Sequence, residues 1–269
     1  MPHLEDFFSH RDGSSLCVGS RGKDDKTLNN SHGDGNLADS GVLYLHGPEA
    51  SGQTSLLLQF GFTQVRAGRN VVLIICGDAG ASQQRTVSDI VPLSACSKCQ
   101  RPVQTGEDPG IWSRIRIKYL HNSVKLQHFL CSLHVIDNET SVLLIDRFEL
   151  FFESQRDMGK VYQTLAFLFE TKEYMKMATG VGMTFVTGST DAFLLRGRAL
   201  LRRWCRFVEI LSPSEHVPEF ILREEVENGI ANEKDMARIQ IKYEFAPPDT
   251  DSAGTFQLVG IERRFFLKP

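Results

Sequence analysis

From residue 41 onward the chain alternates short apolar bursts with longer stretches whose apolar positions recur at helical spacing. The bursts are GVLYLH (41–46), NVVLIICG (70–77), RIRIKYL (114–120), SVLLIDRF (141–148) and GMTFVTGS (182–189). All but RIRIKYL are almost continuously apolar, as parallel strands covered on both faces are. RIRIKYL alternates, which predicts a strand nearer a sheet edge. Helical patterns fill 53–67, 123–135 and 156–178. This rhythm predicts an α/β fold with a doubly wound, mostly parallel sheet. Towards the end of the chain, CRFVEIL (205–211), RIQIKYEF (238–245) and TFQLVGIERRF (255–265) predict an antiparallel ribbon, its last two strands joined through APPDTDSAG. Residues 10–40 are rich in Gly, Ser, Asn and Asp and carry no apolar period. Such a segment buries too little to offset its ordering entropy. The expected organisation is a disordered leader over 1–39 and a single domain over 40–269.

The first burst runs into a glycine-containing loop and then an apolar helix: GVLYLHGPEASGQTSLLLQF. The phosphate-loop pattern is G-x-x-x-x-G-K-[ST], and this chain reads G-P-E-A-S-G-Q-T over 47–54. Gly47, Gly52, Thr54 and Ser55 keep the pattern, while Gln53 stands in the lysine position. Backbone N–H groups and the helix N-terminus can cradle an anion without that lysine. The missing piece is the fixed charge that reaches the terminal phosphates. Losing one such electrostatic contact costs on the order of 10²–10³ in rate, so weak nucleotide binding and very weak turnover are expected. The complementary acid is Asp146, which closes the apolar run VLLID. There it would hold Mg²⁺ through water, with the Thr54 hydroxyl as direct ligand. Asp78, after the second burst, is the positional candidate for a catalytic base; the competing reading is a turn residue between Gly77 and Gly80.

RGRALLRRWCR (196–206) concentrates five arginines. On a helix Arg198, Arg202 and Arg206 fall on one face with Arg203 alongside, and Arg196 precedes them. Trp204 offers a stacking surface. The cluster reads as a contact for the backbone of single-stranded DNA or as a solvated helix face. Cys96 and Cys99 form C-x-x-C, two of the four ligands of a zinc site, and Cys131 with His134 are the nearest complement. That second pair lies in an apolar helix, where Cys131 also reads as a small core residue. His46, His121 and His128 read as surface or satisfied core histidines, and Phe148, Phe151 and Phe152 as core. The net charge of -3 excludes a blanket affinity for nucleic acid. Six irregularly spaced cysteines fit a reducing compartment. No stretch approaches the ~20 apolar residues of a membrane span, and the first residues lack the order of a signal peptide.

Together the phosphate loop, the acidic turn after the second burst, VLLID, and the final ribbon resemble the RecA-like recombinase core. Within it, GVLYLHGPEASGQTSLLL, IRIKYLHNSVKLQHFLCSLH (115–134) and SVLLIDRFELFF (141–152) resemble the small recombinase paralogues associated with SWIM-type zinc-finger proteins. The resemblance covers roughly 41–210. It implies a RecA-like P-loop domain and a nuclear accessory role in homologous-recombination repair, mitotic and meiotic. The implied partners are a SWIM zinc-finger protein in a Shu-like complex, a strand-exchange recombinase and single-stranded DNA. ATP and Mg²⁺ are the implied cofactors, at Gly47, Gly52, Gln53, Thr54, Ser55 and Asp146, with Gln53 departing from the pattern. No F-x-x-A tetrapeptide occurs, which argues against a filament former. An active P-loop ATPase or small-molecule kinase is the alternative, and a scaffold with an empty nucleotide site a third reading.

Overall fold

The structure, a computed structural model, describes residues 4–14, 42–77, 90–152, 158–213, 217–225, 238–248 and 253–264. Nine strands form one sheet: β1 (Val42–Gly47), β2 (Asn70–Cys76), β3 (Ile115–Leu120), β4 (Thr140–Ile145), β5 (Met183–Ser189), β6 (Cys205–Leu211), β7 (Glu219–Glu224), β8 (Arg238–Ala246) and β9 (Thr255–Arg264). The helices are α1 (Gln53–Arg66), α2 (Pro109–Trp112), α3 (Ser123–Ile136), α4 (Met158–Thr179) and α5 (Thr190–Leu201). Strand order is β3-β2-β4-β5-β1-β6-β7-β8-β9. The first six strands run parallel, and β7, β8 and β9 continue the sheet antiparallel. The alternating strand β3 is indeed an edge.

Alternation along each parallel strand splits the core between two faces. Leu43 and Leu45, Val71 and Leu73, and Val142 and Leu144 point towards α1. Their neighbours Val42 and Tyr44, Val72 and Ile74, and Leu143 and Ile145 point towards α3 and α4. The strands β1, β2 and β4 are therefore covered twice, which is why their sequences are apolar at nearly every position.

Three points go beyond the expectations. CRFVEIL opens the antiparallel ribbon as expected, but it is at the same time the sixth parallel strand, paired with β1 through Val42–Cys205 to His46–Glu209. It also meets β7 antiparallel, so it joins the two halves of the sheet. β7 (EFILRE) escaped detection because its charges make the alternation look polar. The leader expected over 1–39 is, at 4–14, part of the domain. Leu4, Phe7 and Phe8 are buried, with the Phe7 ring centroid 4.8 Å from Phe60 and 5.4 Å from Phe185. Phe148, Phe151 and Phe152 are core, as expected.

Candidate functional site

The loop from β1 to α1 is a cradle with an open helix end. Gly52 caps α1 in the left-handed region, φ 77°, and among the described residues no side-chain hydrogen bond caps the helix start. Those N–H groups are the ones a helix start offers to an anion. Tight packing holds the loop from behind. A Cβ on Gly47 would lie 2.6 Å from Ile210 of β6, and one on Gly52 2.6 Å from the ring of Phe245 in β8. The buried Tyr243 hydroxyl of β8 donates to Ser51 O at 2.8 Å, and Ser51 Oγ donates to Pro48 O at 2.8 Å. The antiparallel end of the sheet thus buttresses the loop, a role invisible in the sequence.

Gln53 does not reach outward. Its Nε2 donates to Gly47 O at 3.0 Å, spanning the loop it belongs to. Thr54 and Asp146, far apart in sequence, are in contact: Thr54 Oγ1 lies 3.0 and 3.1 Å from the two carboxylate oxygens. Asp146 is buried, accepts a 2.8 Å bond from Thr187 of β5, and donates its amide to Ile74 O at 3.0 Å. Thr187 Oγ1 in turn accepts from the Arg147 amide at 2.8 Å. One strand, β5, separates β4 from β1, and Thr187 bridges that gap. Ser55 faces inward, its Oγ 3.3 Å from the Val91 amide. Oxygen donors on Thr54 and Asp146 beside an uncapped helix start suit a hard cation and a phosphate.

Two acids that the sequence did not single out, and His46, which is a satisfied core histidine, surround the site. Glu149, in the 3-10 turn Phe148–Phe151, is almost wholly buried near Asp146. Burial raises its carboxyl above the ordinary range; the nearby Arg147 opposes and Asp146 adds to that rise. Its Oε2 and the Tyr44 hydroxyl lack hydrogen-bond partners among the described residues. His46, directly before the loop, is buried and donates Nε2–H to Glu225 at 2.9 Å. Burial holds its pKa down to about 4; Glu209 pulls upward and Arg198 downward. Arg198 and Arg202 share the same Glu225 carboxylate.

The arginine cluster is rearranged relative to expectation. α5 ends at Leu201, Arg202 to Trp204 form a turn, and Arg206 lies in β6, so no single helix face carries them. Arg198 and Arg202 converge on Glu225, and Arg206 pairs with Glu224 at 3.0 Å. Arg203 is exposed. Trp204 is not an open platform: it stacks on Tyr162, centroids 5.6 Å apart and planes 27° apart. The Arg196 side chain and the whole of Asp78 lie outside the described residues.

The zinc expectation is also redrawn. Cys131 is exposed on α3, contrary to the core reading, and α3 covers the opposite sheet face from Cys96. Cys131 and His134 therefore do not complete the C-x-x-C pair. His10 does approach it, with Nε2 3.1 Å from Cys99 Sγ. No helix among the described residues is long and apolar enough to cross a membrane.

No family model and no curated protein matches the chain. Among solved structures it is similar to the RadB recombinase at 14% identity and TM-score 0.51, covering 83% of this chain and 93% of that one. It is also similar to the flagellar accessory protein FlaH from Methanocaldococcus jannaschii at 10% identity and TM-score 0.44, covering 84% and 89%. At such identities the likeness is one of architecture, and with the parallel sheet and its antiparallel extension the chain has the RecA-like α/β fold.

Proposed function

We propose that this chain is a nuclear accessory factor in homologous-recombination DNA repair, mitotic and meiotic, with a degenerate ATP site. The observation that supports it most is the loop itself: an uncapped helix start and a Thr54–Asp146 pair, with Gln53 folded back on Gly47 O where a lysine would reach forward. Loop amides would hold the phosphates, and Thr54 with Asp146 would hold Mg²⁺, which supplies charge neutralisation when bound. Hydrolysis is weak in this reading, because Gln53 brings no charge to the transferred phosphate. Single-stranded DNA contacts the turn after α5 through Arg203, and through Arg198, Arg202 and Arg206 once phosphates displace Glu224 and Glu225. Partners are a SWIM zinc-finger protein in a Shu-like complex and a strand-exchange recombinase.

Fluorescence anisotropy of single-stranded oligonucleotides across a salt series tests the DNA half. Affinity should fall steeply with salt, and Arg202→Glu with Arg203→Glu should weaken it while reducing the log–log slope by about 1.4. Binding that ignores both changes would remove the DNA contact. Recovery of the two protein partners from nuclear extract tests the biological class. The second reading, an active P-loop ATPase or small-molecule kinase, draws support from Glu149, a mostly buried acid near Asp146. Steady-state turnover abolished by Asp146→Asn would favour it.

A further inference from the structure

Three donors from distant parts of the chain meet at the edge of the α1 face. One ring nitrogen of His10 and the sulfurs of Cys96 and Cys99 all lie within 4.8 Å of one another, the one such group among the described residues. His10 and Cys96 are buried and Cys99 is half-buried. Backbone pairing brings His10 there: Arg11 N–H donates to Pro102 O at 3.0 Å and Gln104 N–H to Ser9 O at 2.9 Å, on either side of an antiparallel His10–Val103 bridge.

The C-x-x-C turn is wound around its own first sulfur. Cys96 N–H donates to Arg101 O at 3.1 Å, Gln100 N–H donates to Cys96 O at 2.8 Å, and Gln100 takes a left-handed backbone, φ 57°. The Cys99 and Lys98 amides point their N–H groups at the Cys96 sulfur, and the His10 ring and the Cys99 thiol approach it as well. Amides gathered on a sulfur stabilise the thiolate, which is the form that ligates a metal.

The groups behind His10 fix its tautomer. Ser14 Oγ donates its one proton to Asp12 Oδ1 at 2.6 Å and lies 3.0 Å from His10 Nδ1. With that proton committed, Ser14 can only accept, so Nδ1 carries the ring proton. Nε2 then turns its lone pair towards the two sulfurs, as a metal-binding imidazole does when its other nitrogen is anchored. A thiol donating to the imidazole would explain one contact, but not the amides converging on Cys96. Two sulfurs and one imidazole are a zinc donor set and supply three of the four ligands of a tetrahedral site.

We propose that His10, Cys96 and Cys99 bind one zinc ion, and that this ion fastens the amino-terminal segment to the domain. The segment it holds carries Leu4, Phe7 and Phe8 into the core, and Thr63 of α1 donates to Phe7 O at 3.0 Å. The ion therefore steadies the packing behind the helix that opens the phosphate loop.

The test uses the full chain without a histidine tag, purified under reducing, chelator-free conditions. Elemental analysis should find about one zinc per chain, released in step as a mercurial titrates the thiols. Cobalt(II) in its place should show the strong visible bands and thiolate charge transfer of a tetrahedral site. Cys96→Ser, Cys99→Ser and His10→Asn should each lose the metal. His10→Cys, which exchanges one ligand for another, and Cys131→Ser should keep it. Since a cysteine variant can fail to fold through packing alone, the wild type with chelator gives a second measure. Its melting temperature should fall and recover when zinc is restored. Zinc well below one per chain after reconstitution, zinc that survives loss of the three residues, or a melting temperature indifferent to chelator would each overturn the proposal.

Discussion

Replacing Gly52 by alanine tests whether the antiparallel end of the sheet shapes the phosphate loop. Gly52 sits at φ 77°, and a Cβ there would come 2.6 Å from Cδ2 of Phe245. Two costs add. An L side chain in the left-handed region costs about 1 kcal/mol, and overpacking against a buried ring about 1–3 kcal/mol. The sum, about 2–4 kcal/mol, lowers the melting temperature of a chain this size by on the order of 10 °C. A double-mutant cycle with Phe245→Ala separates the two. Truncating the ring removes the clash and leaves the backbone cost, so the double variant should be less destabilised than the summed singles by about 1–3 kcal/mol. Urea denaturation at constant m-value measures all four species. Additive single effects, or a Gly52→Ala variant within about 0.5 kcal/mol of wild type, would refute the close approach of β8 to the loop.

Gln53→Lys restores the missing charge and should raise both ATP affinity and turnover, the latter by about 10²-fold; a calorimetric titration and a phosphate-release assay check it, and unchanged values would mean the loop cannot accept a nucleotide. Glu225→Gln leaves Arg198, Arg202 and His46 without the carboxylate they share. Stability should drop by about 1–3 kcal/mol, less than for a fully buried pair because both arginines are partly exposed, while single-stranded DNA affinity at low salt should rise; a weaker affinity would place the DNA elsewhere. His46 titrates at about 4 in the fold against an ordinary 6.5. Below 6.5 the unfolded chain takes up a proton that the folded one refuses, so stability falls between pH 6.5 and about 4, by about 3 kcal/mol in full. The pH dependence of urea midpoints should flatten over that window in His46→Gln, and identical profiles would contradict a buried neutral ring.

The parallel half of the fold was legible because double coverage forces every residue of a strand to be apolar. VLYLHG of β1 and TSVLLI of β4 are buried throughout, and no other soluble environment favours such runs. The antiparallel half was legible for three of its four strands, and the charges of β7 (EFILRE) hid the fourth. What the pattern of Cys205–Leu211 did not show is that the strand pairs antiparallel with β7 on one side and parallel with β1 on the other. The arginines failed for a related reason. Spacing of four predicts one helix face only while the helix lasts, and α5 stops at Leu201 where the chain must turn to enter β6.

Motif spacing named the phosphate loop and Asp146, and their contact through Thr54 follows from strand order. What holds these groups in place depends on contacts that spacing cannot see. Tyr243 reaches Ser51 across 192 positions and Glu225 reaches His46 across 179, distances over which only the register of the sheet fixes a pairing. The His10 contact was hidden in another way. Averaged over 10–40, the leader's composition is that of an unfolded chain, yet Asp12, Gly13 and Ser14 are the residues of one tight polar turn. Asp12 accepts from both the amide and the hydroxyl of Ser14, at 2.9 and 2.6 Å, and Gly13 adopts φ 87°. The same Asp-Gly-Ser run that lowers hydrophobicity orients the histidine, because short polar side chains order a backbone locally without burying anything.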